Sequence, residues 1–78
     1  MFDQISVNPE ICGRKPCIKG TRIPVYIILE LLEQGFSFEK IKIEFYPEVT
    51  IDQIKACIKF ANSLVKNEDI FFAEEPVT

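Results

Sequence analysis

The chain of 78 residues contains no histidine and no tryptophan, and it has only three cysteines and three glycines. Histidine is the side chain that most often serves as a general base near neutral pH, so its absence removes the commonest form of acid–base catalysis. The carboxylates are scattered over faces that the pattern predicts to be exposed, and no nucleophile is paired with a base. We therefore expect no enzymatic activity and no cofactor.

The three cysteines do not predict a metal site. Cys12 and Cys17 have C-x4-C spacing, and Cys57 is distant from both in the sequence. A structural zinc site takes four ligands, usually cysteine and histidine, so the chain is one ligand short even when every thiol is counted. We expect the cysteines to behave as small apolar residues in their reduced form.

No apolar run approaches the roughly 20 residues that a membrane-spanning helix requires. The first ten residues, "MFDQISVNPE", also lack the basic and apolar regions of a secretory signal peptide. These features lead us to expect a cytoplasmic protein whose thiols stay reduced. A chain of this length predicts one small domain, whose limited core would be stabilised by a homodimer or another partner.

Cations are concentrated in the segment "CGRKPCIKGTRIPV", which runs from Cys12 to Val25 and contains no acidic residue. Four cations lie in it, although the whole chain has a net charge of -3 and a pI of about 4.9. The order of glycine and lysine is not that of a P-loop, so we do not predict a nucleotide-phosphate site. The cluster is instead a candidate contact for nucleic-acid phosphates. Its cations are Arg14, Lys15, Lys19 and Arg22.

The other end of the sequence has the opposite charge. Residues 68–78 contain four acidic residues and no cation, and the acids surround the apolar run Ile70, Phe71 and Phe72. We predict that residues 1–67 form the folded domain and that residues 68–78 form an acidic, aromatic tail. Oppositely charged ends favour two surfaces for two partners, and simple solvation of the charges is the alternative.

Periodicity predicts a small N-terminal β-hairpin followed by three helices. Gly13 and Pro16 lie between apolar residues, as in a hairpin turn, and "KGTR" is a second turn signal. The first helix is predicted to end at Gly35. Its apolar stripe consists of Val25, Ile28, Leu29 and Leu32, while Tyr26 and Ile27 lie off the stripe, where they can face the hairpin or a second subunit.

The second and third predicted helices have clear starting signals. Ser37 is a favourable N-cap for the second helix, and Thr50 with Gln53 has the spacing of a capping box at the start of the third. The predicted stripe of the second helix consists of Phe38, Ile41 and Phe45. The predicted buried stripe of the third consists of Ile51, Ile54, Ile58, Ala61 and Val65, and the lysines at 55, 59 and 66 occupy a different face.

A helix, a short turn and a helix are typical of a helix-turn-helix, whose second helix enters the DNA major groove. Gln53 can pair with adenine, and Lys55 with guanine or a phosphate, with Lys59 on the same side. Gln53 cannot close the capping box and read a base together. The basic hairpin would contact phosphates as the wing of a winged helix does. A solvated lysine face is the alternative, and the acidic pI opposes DNA affinity, so both interpretations stay open.

From about Pro9 to Ala61 the sequence resembles the small bacterial and archaeal proteins of the domain of unknown function 433. The resemblance rests on "G-x-K-P-x-I-x-G-T-R-I-P-V", then "LL-x-x-G", then "YP-x-[VL]-T". Those proteins are generally described as VapB-type antitoxins with a winged helix-turn-helix-like fold. The resemblance implies a DNA-binding antitoxin that also neutralises a PIN-like ribonuclease toxin encoded beside it.

The resemblance also carries expectations for individual residues. Gly20, Thr21 and Arg22 match the motif, which implies a structural turn with a surface cation. Family members usually have a second glycine where this chain has Arg14, a departure that affects the hairpin turn and adds a cation. We expect Ile70, Phe71 and Phe72 to dock in an apolar groove of the toxin while the neighbouring acids meet its basic rim.

Two alternatives remain at this point. The aromatic run can fold back on the domain's own core instead of binding a toxin. The whole chain can also be a protein-interaction module that inhibits or assembles with a partner without binding DNA, which its acidic pI favours.

Overall fold

The computed structural model describes residues 3–7, 10 and 12–67, with Cys12 described by its backbone alone. In this part of the chain a two-stranded antiparallel sheet precedes three helices, which confirms the predicted mainly α fold with a small N-terminal β-hairpin. No helix within these residues is long and apolar enough to cross a membrane. The elements are β1 (Ile5–Ser6), β2 (Cys17–Ile18), α1 (Val25–Glu33), α2 (Phe38–Lys40), a π-helical segment (Ile41–Phe45) that continues α2, and α3 (Ile51–Asn67).

The strands pair with Ile5 opposite Ile18, and the connection between them contains Gly13 and Pro16, as predicted. That connection forms a 3-10 turn at Cys12–Arg14, in which Gly13 has a φ of 59°. A positive φ costs glycine little because it has no Cβ. Each strand has only two residues, and the connection between them runs over residues 7–16. The strands are therefore shorter, and the connection longer, than in a tight β-hairpin.

A second, tighter turn joins β2 to α1. Gly20 has a φ of 82°, and the Thr21 hydroxyl donates to the Ile18 carbonyl at 2.7 Å while it accepts from the Ile23 N–H at 3.0 Å. The Ile18 N–H donates to the Ile23 carbonyl at 2.9 Å. Pro24 follows with a φ of -68°, which suits the residue that precedes a helix. The "GTRIP" stretch thus turns the chain directly from the sheet into α1.

The core lies where the hairpin and the helices meet. Burying a large aliphatic side chain contributes about 1.5–3 kcal/mol, so a few fully enclosed residues carry most of the stability of such a small domain. The side chains that are fully enclosed are Cys17, Ile18, Ile28, Ile41, Val49, Ile54 and Cys57.

The first helix ends as its sequence predicts. Gly35 has a φ of 96°, and its N–H donates to the Leu32 carbonyl at 3.0 Å. The Phe36 N–H donates to the Leu31 carbonyl at 3.2 Å. This pair of bonds is a Schellman motif, which satisfies helix carbonyls that would otherwise have no intrahelical partner.

The second helix begins as predicted but changes its winding. Ser37 caps it by accepting from the Lys40 N–H at 3.1 Å. Beyond Lys40 the helix becomes π-helical, and the Tyr46 N–H donates to the Ile41 carbonyl, five residues back. Each turn now contains more residues, so side chains after Ile41 point in directions that the regular helical pattern does not predict.

The predicted stripe of the second helix is consequently wrong at Phe45. Ile41 is fully buried, but the Phe45 side chain is 41% exposed. Its ring packs edge-on against Phe36, with the ring centroids 5.0 Å apart. The π-helical winding moves Phe45 from the core to this surface contact.

Lys42 ties the π-helical segment to the start of α3. Its ammonium donates to the carbonyls of Pro47 and Val49, at 3.0 and 3.2 Å. Hydrogen bonds from a charged donor are stronger than neutral ones. The connection between the two helices is therefore held by a side chain as well as by the buried Val49.

The capping box predicted for α3 is confirmed. The Thr50 hydroxyl accepts from the Gln53 N–H at 3.0 Å, and the Gln53 side-chain oxygen accepts from the Thr50 N–H at 2.9 Å. Val49 and Ile54, which flank this box in the sequence, are both fully buried, as expected for a hydrophobic staple. The N-terminus of α3 is therefore fixed by polar and apolar contacts together.

The buried face of α3 is rotated from the predicted stripe. Ile54 is enclosed as predicted, but Ile58 and Val65 are 38% and 64% exposed, and Cys57 is enclosed instead. The hairpin, α1 and α2 all contact α3. Because these elements pack on the side of α3 that carries Cys57, that side is buried. The sequence alone does not decide between this side and that of Ile58, since both carry apolar residues. Burial raises the pKa of the Cys57 thiol to about 11, so this thiol is protonated and unreactive near neutral pH.

Thr50→Ala is expected to lower the free energy of unfolding by about 1 kcal/mol, because the Gln53 N–H at the start of α3 loses its acceptor. Thr50→Ser, which keeps the hydroxyl, is the matched control and should change stability far less. Urea denaturation of the two variants and the parent chain measures the difference. Equal stability of the alanine and serine variants would contradict the assigned role of the cap.

Candidate nucleic-acid interface

Three exposed lysines form a cationic face on α3. Lys55, Lys59 and Lys66 recur at i, i+4 and i+11, which brings them to one side of a helix. This side lies away from the enclosed Ile54 and Cys57. We call these three residues the lysine face. It presents positive charge to solvent over most of the length of α3.

Gln53 lies at the N-terminus of α3, but its side chain is engaged in the capping box. Its Oε1 accepts from the Thr50 N–H at 2.9 Å. A bidentate pair with adenine requires the oxygen and the amino group of the glutamine together. In this conformation Gln53 fixes the first turn of α3, and Lys55 is the first exposed cation that the helix offers.

The four cations of the basic segment are all exposed, but the structure distributes them over different places. Lys15 lines a groove together with residues of α1 and α3. Arg22 lines a separate hollow that includes Glu48, from the connection between the π-helical segment and α3. Lys19 lies in the turn after β2, and its backbone N–H donates to the Gln4 carbonyl at 2.8 Å. The cations of the segment therefore line two separate hollows and do not form one cluster.

Arg14 has an unusual backbone conformation. Its φ is 72°, and it is the one non-glycine residue with a positive φ in the described part of the chain. Left-handed backbone is strained for residues with a Cβ and costs about 1–2 kcal/mol. Glycine would adopt this conformation at little cost, so this chain carries an arginine there at some cost in stability.

Exposed acidic residues reduce the net positive charge elsewhere on the described surface. Lys40 of α2 forms an exposed i,i+4 ion pair with Glu44 at 3.2 Å. Glu48 lies beside the same hollow as Arg22. Asp52 is exposed in the first turn of α3, where a carboxylate is favoured by the helix dipole. Within the described residues, α3 carries the largest number of exposed cations on one side of a single element, namely the lysine face.

An apolar groove between α1 and α3 was not predicted from the sequence. It has a volume of about 430 Å³. The position of Tyr26 off the predicted stripe of α1 was the signal for it, because Tyr26 lines the groove together with Lys15 and Pro16 of the hairpin connection. The groove is lined by Lys15, Pro16, Val25, Tyr26, Leu29, Phe60, Ala61 and Leu64.

Two sets of predictions fall partly outside the described residues. The predicted partner contacts Ile70, Phe71 and Phe72, and the tail 68–78 as a whole, lie there, as does the side chain of Cys12. Among the described residues, no group of three His, Cys, Asp or Glu side chains is arranged to hold a metal ion.

Comparison with curated proteins finds a relative in Sinorhizobium fredii (strain NBRC 101917 / NGR234), "Uncharacterized protein y4eO". It is 29% identical over 59 residues, which are 76% of this chain and 26% of the relative. The chain therefore spans about a quarter of the length of this relative. No solved structure matches the chain.

A family model described as "Protein of unknown function (DUF433)" matches residues 5–61. The matched region begins at β1 and continues into the second half of α3. It includes the basic segment with its turn at Gly20, the capping box and two residues of the lysine face. On this match, the chain belongs to the DUF433 family.

Proposed function

We propose that this protein is an antitoxin of the VapB type. In this proposal a homodimer binds DNA near its own gene through the helix-turn-helix of α2 and α3, and the tail neutralises a PIN-like ribonuclease. No catalytic role is assigned to the chain. The observation that carries the proposal is the lysine face, which lies opposite the core on the helix that a helix-turn-helix uses for the major groove.

The way α3 is held supports a recognition role. Its N-terminus is fixed by the capping box, and the Lys42 ammonium holds the preceding connection through two carbonyls. A helix whose start is rigid can present side chains to base edges without first being ordered. The first exposed cation after this start is Lys55.

The strained backbone at Arg14 also supports a role for the basic segment. Strained conformations persist where function requires them more often than elsewhere. An exposed arginine in a left-handed turn contributes charge that glycine would not. We assign Arg14, Lys15, Lys19 and Arg22 to phosphate contacts.

A second function, a protein-interaction module without DNA binding, is favoured by one observation. Ile58 and Val65 are exposed beside the lysine face. Charge is depleted and apolar residues are common at the centre of protein interfaces, whereas DNA interfaces are polar and cationic. Under this alternative the same side of α3 would bind an acidic protein surface.

Lys55→Gln is expected to weaken binding to a duplex taken from the DNA upstream of the protein's own gene. Loss of one phosphate contact should lower affinity at low salt and reduce the slope of log affinity against log salt by about 1. Fluorescence anisotropy over a salt series measures both quantities.

Lys40→Gln is the matched control, because it removes the same charge from an exposed ion pair on α2. It should leave the salt slope unchanged. Equal losses in both variants would indicate a general charge effect and count against α3 as the recognition helix. Absence of binding by the parent chain at low salt would favour the protein-interaction alternative.

Arg14→Gly is expected to separate stability from function. Glycine relieves the positive φ, so the free energy of unfolding should rise by up to about 1 kcal/mol. DNA affinity should fall because one cation is lost. Thermal unfolding and the same anisotropy assay measure the two effects. A variant that is more stable and binds DNA as tightly as the parent would remove Arg14 from the interface.

The double variant Phe71→Ser/Phe72→Ser is expected to lose inhibition of the ribonuclease encoded beside this gene, because apolar anchors contribute most of the energy of such a contact. Ile43→Ser, which removes an exposed apolar side chain from the π-helical segment, is the control and should inhibit normally. The rate of RNA cleavage at increasing ratios of each variant to ribonuclease measures the inhibition. Full inhibition by the double variant would exclude the tail as the anchor.

A further inference from the structure

The groove between α1 and α3 exposes apolar surface on both of its walls. Tyr26 and Leu29 contribute from α1, and Phe60 and Leu64 contribute from α3, with Lys15 at the edge. Tyr26 and Leu64 are each nearly half exposed. Contiguous exposed apolar surface on a small protein usually marks a place where another group binds.

The groove lies close to the point where the chain leaves α3. Leu64 is three residues before Asn67, or about 4.5 Å along the helix axis, and Phe60 is about 10.5 Å away. The four residues from Asn67 to Phe71 can span up to about 13 Å. A chain that reverses direction after α3 therefore reaches the whole α3 wall of the groove.

The segment that follows α3 has the composition that this groove would accept. Ile70, Phe71 and Phe72 are consecutive apolar residues, and each aromatic ring can bury 150–250 Å². Acidic residues precede and follow them, and residues 68–78 contain no cation. Lys15, which lines the groove, supplies the complementary charge.

Covalent connection favours this segment over a separate molecule. A short tether gives an effective concentration on the order of millimolar, so a contact too weak to form between two molecules can form within one. A second copy of the chain would have to be present at a comparable concentration to compete.

We propose that residues 70–72 of this same chain dock in the groove, with Phe71 and Phe72 between the α1 wall and the α3 wall. The contact concerns the chain by itself and stands whether or not the protein binds DNA or a toxin. A tail held in this way is occupied in the free protein, so any partner that takes the aromatic residues must first displace them from the groove.

Nuclear Overhauser effects in the full chain test the proposal directly. Protein with labelled phenylalanine rings and labelled leucine methyl groups should show cross-peaks from Phe71 and Phe72 to Leu29 and Leu64. A mixture of labelled and unlabelled chains distinguishes the source, because isotope-filtered spectra retain only contacts between molecules. Cross-peaks within one chain are expected. Their absence, or their appearance only between molecules, would overturn the proposal.

Matched variants provide the second arm. Leu64→Glu should abolish the cross-peaks, because it introduces negative charge into the wall that meets the acidic segment. Val65→Glu, on the neighbouring and more exposed position of α3, should keep them. Phe71→Ser/Phe72→Ser leaves the groove itself intact and should shift the Leu29 and Leu64 methyl signals. Unchanged methyl signals in that double variant would also overturn the proposal.

Discussion

The shared core of the hairpin, α1 and α3 is the constraint on which the rest of the structure depends. Ile18, Ile28 and Ile54 are fully enclosed and belong to one cluster, and few other side chains reach that state. A domain of this size buries only about 60% of its unfolded surface, so it cannot lose many of these contacts. Which side of each helix faces this cluster decides which residues remain for function.

The lysine face is a consequence of that constraint. Because α3 turns Ile54 and Cys57 toward the cluster, its lysines emerge on the opposite side. The net charge of -3 does not prevent this, since four of the twelve acids lie in residues 68–78, where there is no cation, and α3 carries one exposed acid, Asp52, against its lysines. Charge at separations greater than about 8 Å is largely screened at physiological salt, so a local face counts for more than the total.

Local signals were predictable because they depend on neighbouring residues alone. The capping box of Thr50 and Gln53, the cap at Ser37 and the end of α1 at Gly35 all follow from backbone groups within a few residues. The positions of the four cations of the basic segment were less predictable. Their order in the sequence suggested one cluster, but Lys15 and Arg22 line different hollows because the chain turns sharply at Gly20 between them.

The sequence by itself determined the order of the elements, the turns that need glycine and the caps, since these are set by short-range sterics and hydrogen bonds. Only the tertiary structure decided that Phe45 would leave the core, that Cys57 would replace Ile58 in it, and that a groove would open beside Tyr26. For Phe45 the reason is the π-helical winding after Lys40, and for Cys57 and the groove it is that α3 carries apolar residues on more than one side. Which side is buried depends on where the other elements pack, and the periodicity of one helix does not predict that packing.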